Sequence, residues 1–290
     1  MSRKKTPEPP QPVAACSILA CQVSVSPIRN RSDRLRHVGR LVEKITERVS
    51  RRPADLVVLP ELSTIDYSVE AFDRLDQTAE TLDGETVSQM RELAITQGCA
   101  VLFGMPRKTG SSFRISQVGI DRHGNLLGCY DKLHICQYGA SVEKRYFERG
   151  EAIVVFDVAG IRFAPIICYD IRIPELSRTL VLDRSVDCIL HCGAYYRDES
   201  FHSWHAFAMT RAMENQVYLL SLNRAGEDYG DSVFCPPWVD QNHPMQRFSG
   251  TYEDFQYLEV DRSVISRVRE SYPFLEDRLA CYDLPTGGAG

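Results

Sequence analysis

Along the first hundred residues the hydrophobic positions change period repeatedly. CSILACQVSV, residues 16–25, is a nearly continuous apolar run that predicts a strand. Leu35, Val38, Leu41, Val42, Ile45 and Val49 then recur at helical spacing through an otherwise charged stretch and predict an amphipathic helix. DLVVLPE at 55–61 predicts a short buried strand. Val87, Met90, Leu93 and Ala94 predict a second helix ending at Gly98, and CAVLFGM at 99–105 a further strand. Strand-like stretches at 113–120 and 125–130 flank the turn DRHG, and two more at 152–157 and 161–168 flank VAG, so both pairs predict hairpins. The second half resumes the alternation with a helix from Pro174 to about Asp183, the strand CILHC, a helix across 202–215 and the strand VYLLSLN. Hairpins argue against an all-parallel sheet. No linker or composition shift divides the chain, so the pattern predicts one domain of α/β or α+β layers with helices outside.

Composition narrows this picture. At 290 residues, 43% hydrophobic and 25% charged, the chain can bury a sizeable core. Its net charge of −5, with no basic run beyond Arg3-Lys4-Lys5, leaves no footprint for nucleic acid. No apolar run is long enough for a bilayer, and MSRKKTPEPPQP lacks the apolar centre of a signal peptide, so no membrane partner is expected. Residues 1–13 are expected to be a disordered tail, 14–284 the domain and 285–290 a flexible C-terminus. Ten cysteines lie mostly in apolar segments without the spacings of a disulfide framework, which suits a reducing cytoplasm. Cys188 and Cys192 with His191 between them invite a zinc reading, but no second ligand pair stands at a zinc-finger distance, and no metal is expected.

RFAPIICYDIRIPEL, residues 162–176, concentrates the candidate chemistry. A buried strand runs into Cys168, Ile173 before proline is extended, and Pro174 suits the first turn of the next helix. Cys168 therefore falls at a strand-to-helix junction, where unpaired backbone N–H groups are free to bind an oxyanion. None of the seven histidines stands in the context of a Cys–His protease, and His134 and His191 read as core or supporting groups. Two charges sit where charge is costly: Glu61 closes LVVLPEL and Lys132 lies within CYDKLHI. Taken singly, each is explained by exposure at a strand end. Arg172 has two readings, a bidentate partner for a substrate carboxylate or a structural partner of Glu175 or another acid, and the second carries more weight.

Glu61, Lys132 and Cys168, in that order and in the contexts LPEL, YDKLH and CYDIRIPEL, resemble the signature of the nitrilase superfamily, the carbon–nitrogen hydrolases. The likeness continues in EKRYFERG at 143–150, TRAMENQVYLLSLNR at 210–224, GDS at 230–232 and FLEDRLACYDL near the C-terminus, and covers residues 14 to 284. It implies a four-layer α-β-β-α sandwich, homodimers or larger assemblies, and no metal or organic cofactor. It also implies that Cys168 is the nucleophile, Glu61 the general base, Lys132 the oxyanion-stabilising cation and Glu143 a second glutamate beside them. Tyr195 and Tyr196, after HCGA, fall where the family places pocket residues, although two aromatics in a loop or interface is an equal reading.

The chemistry agrees with these roles. A free thiol of pKa about 8.5 is mostly protonated at neutral pH and needs a nearby base or cation. Attack on an amide creates an oxyanion that Lys132 and the N–H of Tyr169 would bind, ahead of a thioester on Cys168. CYD resembles the amidase and omega-amidase branches, whereas true nitrilases carry tryptophan and glutamate after the cysteine. Ile173 in place of the common phenylalanine and the segment 235–245 depart from the family pattern, and that segment is expected to alter the pocket. The expected function is a thiol amidohydrolase for a small linear amide, with N-carbamoyl amide hydrolysis as its competitor. A non-catalytic binding protein on the same fold is the reading from another class, against which stands the intact triad.

Overall fold

Side-chain alternation along the strands sorts the molecule into layers. The computed structural model describes residues 14–139 and 141–283, so the expected tail at 1–13 and the C-terminus at 285–290 lie outside the described residues. One six-stranded sheet contains β1 (Ala15–Gln22), β2 (Leu56–Val58), β3 (Ala100–Thr109), β4 (Ser112–Ile120) and β5 (Leu126–Asp131) in sequence order. The other contains β6 (Phe156–Val158), β7 (Ile161–Ile167), β8 (Cys188–Cys192), β9 (Tyr218–Leu222), β10 (Val233–Cys235) and β11 (Gln246–Arg247), again in order. β12 (Asp254–Asp261) returns to the first sheet and pairs antiparallel with β1. In each sheet three parallel strands, β1–β2–β3 and β7–β8–β9, form the middle, and antiparallel strands flank them.

The helices are α1 (Arg31–Arg51), the short turns α2 (Val69–Phe72) and α3 (Leu75–Thr78), α4 (Glu85–Gln97), α5 (Pro174–Leu182), α6 (Phe201–Asn215), α7 (Arg262–Ser271) and α8 (Phe274–Asp277). Ile18, Ala20, Val58 and Leu102 from one sheet meet Phe163, Leu190 and Leu220 from the other in a shared core. Their strand neighbours Leu19, Val57 and Val101 face away and pack on Leu41 and Ile45 of α1 and Met90 of α4. Ile189 and Leu219 likewise pack on Leu180 of α5 and Ala208 of α6. The period of two along each strand thus builds the expected four layers, α-β-β-α. Among the described residues no helix is long and apolar enough to cross a membrane.

Several apolar runs overshoot the strands they signal. β1 stops at Gln22 rather than Val25, and β2 occupies only 56–58 of the expected 55–61. Residues 152–155 form a loop, where Ile153 and Val155 are packed into the α5/α6 core without joining a ladder. An apolar run reports burial, and burial does not require strand pairing. The zinc reading of Cys188, His191 and Cys192 fails on the same alternation: both cysteines face the shared core, whereas His191 bonds Ser221 on the neighbouring strand and the carbonyl of Cys168. No group of three or more His, Cys, Asp or Glu among the described residues is arranged to hold a metal.

One glycine fixes how the turn after β2 seats. A Cβ at Gly104 of β3 would stand 2.4 Å from the carbonyl oxygen of Pro60 and 2.5 Å from the nitrogen of Leu62, backbone atoms on either side of Glu61. Gly104→Ala must therefore push that turn away. The expected outcome is a loss of about 2 kcal/mol or more in denaturant unfolding together with reduced turnover, since overpacking against backbone has no flexible side chain to yield. Unchanged stability would show that the turn adapts freely.

Candidate active site

The residues singled out in the sequence gather at the C-terminal ends of the strands. Glu61 follows β2, Lys132 follows β5, Cys168 follows β7, and Ala194-Tyr195 follows β8. This is the end of a parallel sheet where the chain leaves the ladder and side chains converge on open space. Lys132 donates from Nζ to Glu61 Oε1 at 2.8 Å and to Glu143 Oε1 at 2.7 Å, and all three side chains are fully buried.

The remaining acceptor positions of the two acids are also occupied. Glu61 Oε2 accepts the N–H of Ala194 at 2.8 Å. Glu143 accepts the hydroxyl of Tyr67 on Oε1 at 2.7 Å and the N–H of Cys136 on Oε2 at 2.9 Å. Burial alone would pull the Lys132 ammonium down, but Glu143 and Glu61 together outweigh it and hold its pKa well above the usual value. Burial, with Glu143 adding to it, pushes Glu61 above the usual carboxylate range against the pull of Lys132 and the Ala194 N–H.

The backbone carrying Glu61 is itself clamped. Fully buried Arg224 donates to the carbonyls of Glu61 at 3.2 Å and Ile65 at 2.6 Å, and to that of Leu62, which has φ of 45°. Arg224 had the same signal as Glu61, a charge immediately after the apolar run VYLLSLN. Next to it, Asn223 bonds the backbone N–H and carbonyl of Tyr195 at 2.8 and 3.0 Å.

Cys168 opens a 3₁₀ turn, Cys168–Arg172, at the junction predicted for it, with φ of 46°. A left-handed conformation costs a non-glycine residue about 1–3 kcal/mol and persists only where its surroundings enforce it. Buried Asp170 does this from inside the turn. Its carboxylate accepts the N–H of Ile167 at 2.9 Å, the hydroxyl of Tyr130 at 2.7 Å, and both the backbone N–H and Nδ1 of His134 at 3.0 and 2.7 Å. The carbonyl of Cys168 accepts His191 Nε2 at 2.9 Å and the Tyr195 hydroxyl at 3.2 Å. Burial pushes the Cys168 thiol well above its ordinary pKa; Glu61 adds to this and Lys132 opposes it.

A small cleft of about 40 Å³ opens onto this turn. Cys168, Tyr169, Tyr195, Tyr196 and Glu143 line it, with Tyr67, Cys136, Tyr138 and Ser200 among the other walls. Tyr195 is buried and stacked on Trp204 at 4.8 Å, whereas Tyr196 is 38% exposed with its ring edge on Tyr229. No residue of 235–245 reaches the cleft walls, contrary to expectation, because Trp238 packs instead on Tyr272 of the C-terminal segment at 3.8 Å. Arg172 makes no ion pair with Glu175, which sits exposed on the first turn of α5 and favours the positive end of that helix. The Arg172 guanidinium lies between Tyr138 and Phe207 and makes long contacts of 3.5 Å with Ser203 Oγ and 3.4 Å with Ser200 O. Its Nε has no hydrogen-bond partner among the described residues.

Comparison with known proteins points in one direction. Residues 20–270 match the family model of the carbon–nitrogen hydrolases. The omega-amidase YafV of Escherichia coli (strain K12) is 28% identical over 249 residues, 84% of this chain and 89% of that protein. A nitrilase of Pyrococcus abyssi is 29% identical, over 83% of this chain and 90% of that protein. Nit3 of Saccharomyces cerevisiae, a member of branch 10 of the nitrilase superfamily, has a solved structure that matches with a TM-score of 0.79 at 22% identity, over 91% of this chain and 96% of that one.

His191 supplies a pH signature for the turn at Cys168. Ser221 Oγ accepts the Trp204 indole N–H at 2.7 Å, so its own hydrogen goes to His191 Nδ1 at 2.6 Å, and Nε2 carries the proton donated to Cys168 O. The ring is neutral, and burial lowers its pKa from 6.5 to about 4. A depressed folded-state pKa means that the unfolded chain takes up a proton first, so stability present above pH 6.5 is lost as pH falls toward 4, by about 3 kcal/mol. His191→Gln has no such titration. Its stability gap to the wild type, measured by denaturant unfolding, should narrow by about that amount between pH 7 and 4; a constant gap would contradict the assignment.

Proposed function

The chain belongs to the carbon–nitrogen hydrolase family, and we propose that it cleaves the amide of a small carboxylate-bearing ω-amide through a thioester on Cys168. The observation that carries this reading is the fully buried Glu61–Lys132–Glu143 cluster beside a cysteine at the wall of a small cleft. In the resting protein the thiol is protonated, for the reasons of burial and charge given above. As Sγ attacks the amide carbon, Glu61 takes the thiol proton, a transfer favoured by the raised affinity of its carboxylate for protons.

The oxyanion then forms where Lys132 has a third N–H left after its two carboxylate bonds and where the N–H of Tyr169 lies in the first turn of the 3₁₀ segment that Cys168 opens. Glu61 delivers its proton to the departing nitrogen, ammonia leaves, and Glu61 next activates water against the thioester to release the acid. Glu143 acts as a positioning residue, holding Lys132 through Oε1. The class of substrate follows from Arg172, a guanidinium beside the cleft that has no carboxylate partner among the described residues, which a substrate carboxylate would complete. The name of the omega-amidase relative supports the same class. Exposed Phe274, Leu279 and Tyr282 support a homodimer or larger homo-oligomer.

The test is a substrate panel with acid-quenched mass spectrometry. ω-Amides of short dicarboxylic acids should give free ammonia and an acyl adduct on Cys168, and Cys168→Ala should give neither. Simple aliphatic amides, N-carbamoyl amino acids and nitriles should turn over more slowly; carbon dioxide from carbamoyl substrates with ω-amides inert would overturn the choice of substrate. Arg172→Ala should raise KM for the ω-amides by roughly tenfold or more while leaving aliphatic amides little changed.

Lys132→Ala separates chemistry from folding. It should lower kcat by on the order of 10²-fold or more, the scale for a lost oxyanion donor. Near-normal turnover in a variant with native circular dichroism would remove Lys132 from the mechanism.

A further inference from the structure

A second cleft lies at the far end of the sheet that carries the nucleophile. Strand β7 delivers Cys168 beyond its C-terminal residue Ile167, while Arg162 stands beside its first residue, Ile161. A strand of this length separates the two by roughly 20 Å. Arg162, Arg262 and Arg269 all line a cleft of about 580 Å³ there, together with Asp157, Asp187 and Ser185. Arg262 and Arg269 are two helical turns apart on α7 and so share a face, while Arg162 reaches the same space from β7.

Two of the three guanidinium groups are occupied by the two acids. Arg162 grips Asp157 with Nε at 2.9 Å and Nη2 at 3.1 Å. Arg262 grips Asp187 through Nε at 3.2 Å and through Nη2, and Asp187 also accepts the backbone N–H of Arg162 at 2.9 Å. Arg269 has no ion-pair partner among the described residues, and its Nε is buried without a hydrogen bond. The Nη1 donors of the other two are not spent on the acids either; that of Arg162 makes only a 3.5 Å contact with the carbonyl of Arg184. Three cations face two anions, so the cleft keeps an excess positive charge on a chain whose net charge is −5.

An unpaired, half-buried guanidinium beside two others that still have free donors is incomplete as a structural network, because buried polar groups ordinarily find partners. We infer that this cleft is an anion-binding site that takes a small multiply charged oxyanion, a phosphate or a polycarboxylate, on Arg269 with support from Arg162 and Arg262. Guanidinium forks bind both chemistries in the same bidentate manner. At its distance from Cys168 the bound anion does not touch reacting atoms. Its effect is on the stability of the end of the molecule where α7 meets β6, β7 and the chain after α5, and it is independent of the reaction proposed above.

Thermal unfolding of the full-length chain in inorganic phosphate, pyrophosphate or citrate, each matched with sodium chloride for ionic strength, tests the site. At least one oxyanion should raise Tm saturably by several degrees, and the three arms distinguish phosphate from carboxylate. Arg269→Gln should weaken the apparent affinity by roughly tenfold or more while leaving amide hydrolysis unchanged. Arg269→Lys should retain part of the response, and Arg40→Gln, at an exposed arginine elsewhere, all of it. A rise no greater than that in sodium chloride, or one equal in Arg269→Gln, would overturn the inference. Should Arg269→Gln not fold, isothermal titration of the wild-type chain with phosphate, pyrophosphate and citrate in turn decides: saturation at one equivalent by any of them supports the site, and no saturable heat from all three rejects it.

Discussion

A lysine ammonium held between two carboxylates, with all three side chains buried, is the constraint around which the candidate active site is built. Removing three charges from water is expensive, and mutual attraction offsets that cost only when geometry is good and every remaining lone pair has a donor. The surroundings meet this demand one group at a time. The Ala194 N–H serves Glu61, the Tyr67 hydroxyl and the Cys136 N–H serve Glu143, and Arg224 fixes the backbone on which Glu61 stands. Gly104 belongs to the same logic, because only a residue without a side chain lets β3 approach that turn.

The turn at Cys168 solves a different problem with neutral groups and one acid. Cys168 must leave the ladder in an unfavourable conformation to present its sulfur, and its carbonyl then points where no strand partner remains. His191 and Tyr195 accept the task of satisfying that carbonyl, while Asp170 gathers four donors beneath the turn. Because His191 is held neutral, no second cation competes with Lys132 for the field at the sulfur. In the mechanism proposed above, the thiol starts protonated, and charge appears only as it is transferred to Glu61 and to the oxyanion. A buried base of raised pKa suits that exchange better than a solvated one, whose charged form water would stabilise.

Both halves of this arrangement depend on the sandwich. The parallel middles of the two sheets end on the same side, so turns from β2, β7 and β8 meet although they come from distant parts of the chain. The cleft they enclose is small and walled by tyrosines, with the Arg172 guanidinium packed on one of them, Tyr138.

Much of this was legible in the sequence because burial leaves a pattern. Glu61 and Lys132 were visible as charges inside apolar runs, Cys168 as the last residue of a strand before a proline-led helix, and α1, α4, α5 and α6 as periodic stripes or well-marked ends. What the pattern did not carry was pairing. β12, whose side chains are mostly half-buried, joins β1 across more than two hundred residues, and the apolar segment 152–155 joins no ladder. The partners of the catalytic candidates were equally hidden: Tyr67, Ala194, Asp170 and Arg224 contribute a hydroxyl, an amide, a carboxylate and a guanidinium whose targets lie up to 163 residues away. Arg172 and Arg269 make the same point in reverse, since the lack of a hydrogen-bond partner for either Nε among the described residues is a property of space and not of neighbouring letters. Local sequence determines which residues must be buried and which backbone turns are allowed; only the packed sheets decide which buried polar groups meet, because hydrogen bonds act over about 3 Å and take no account of distance along the chain.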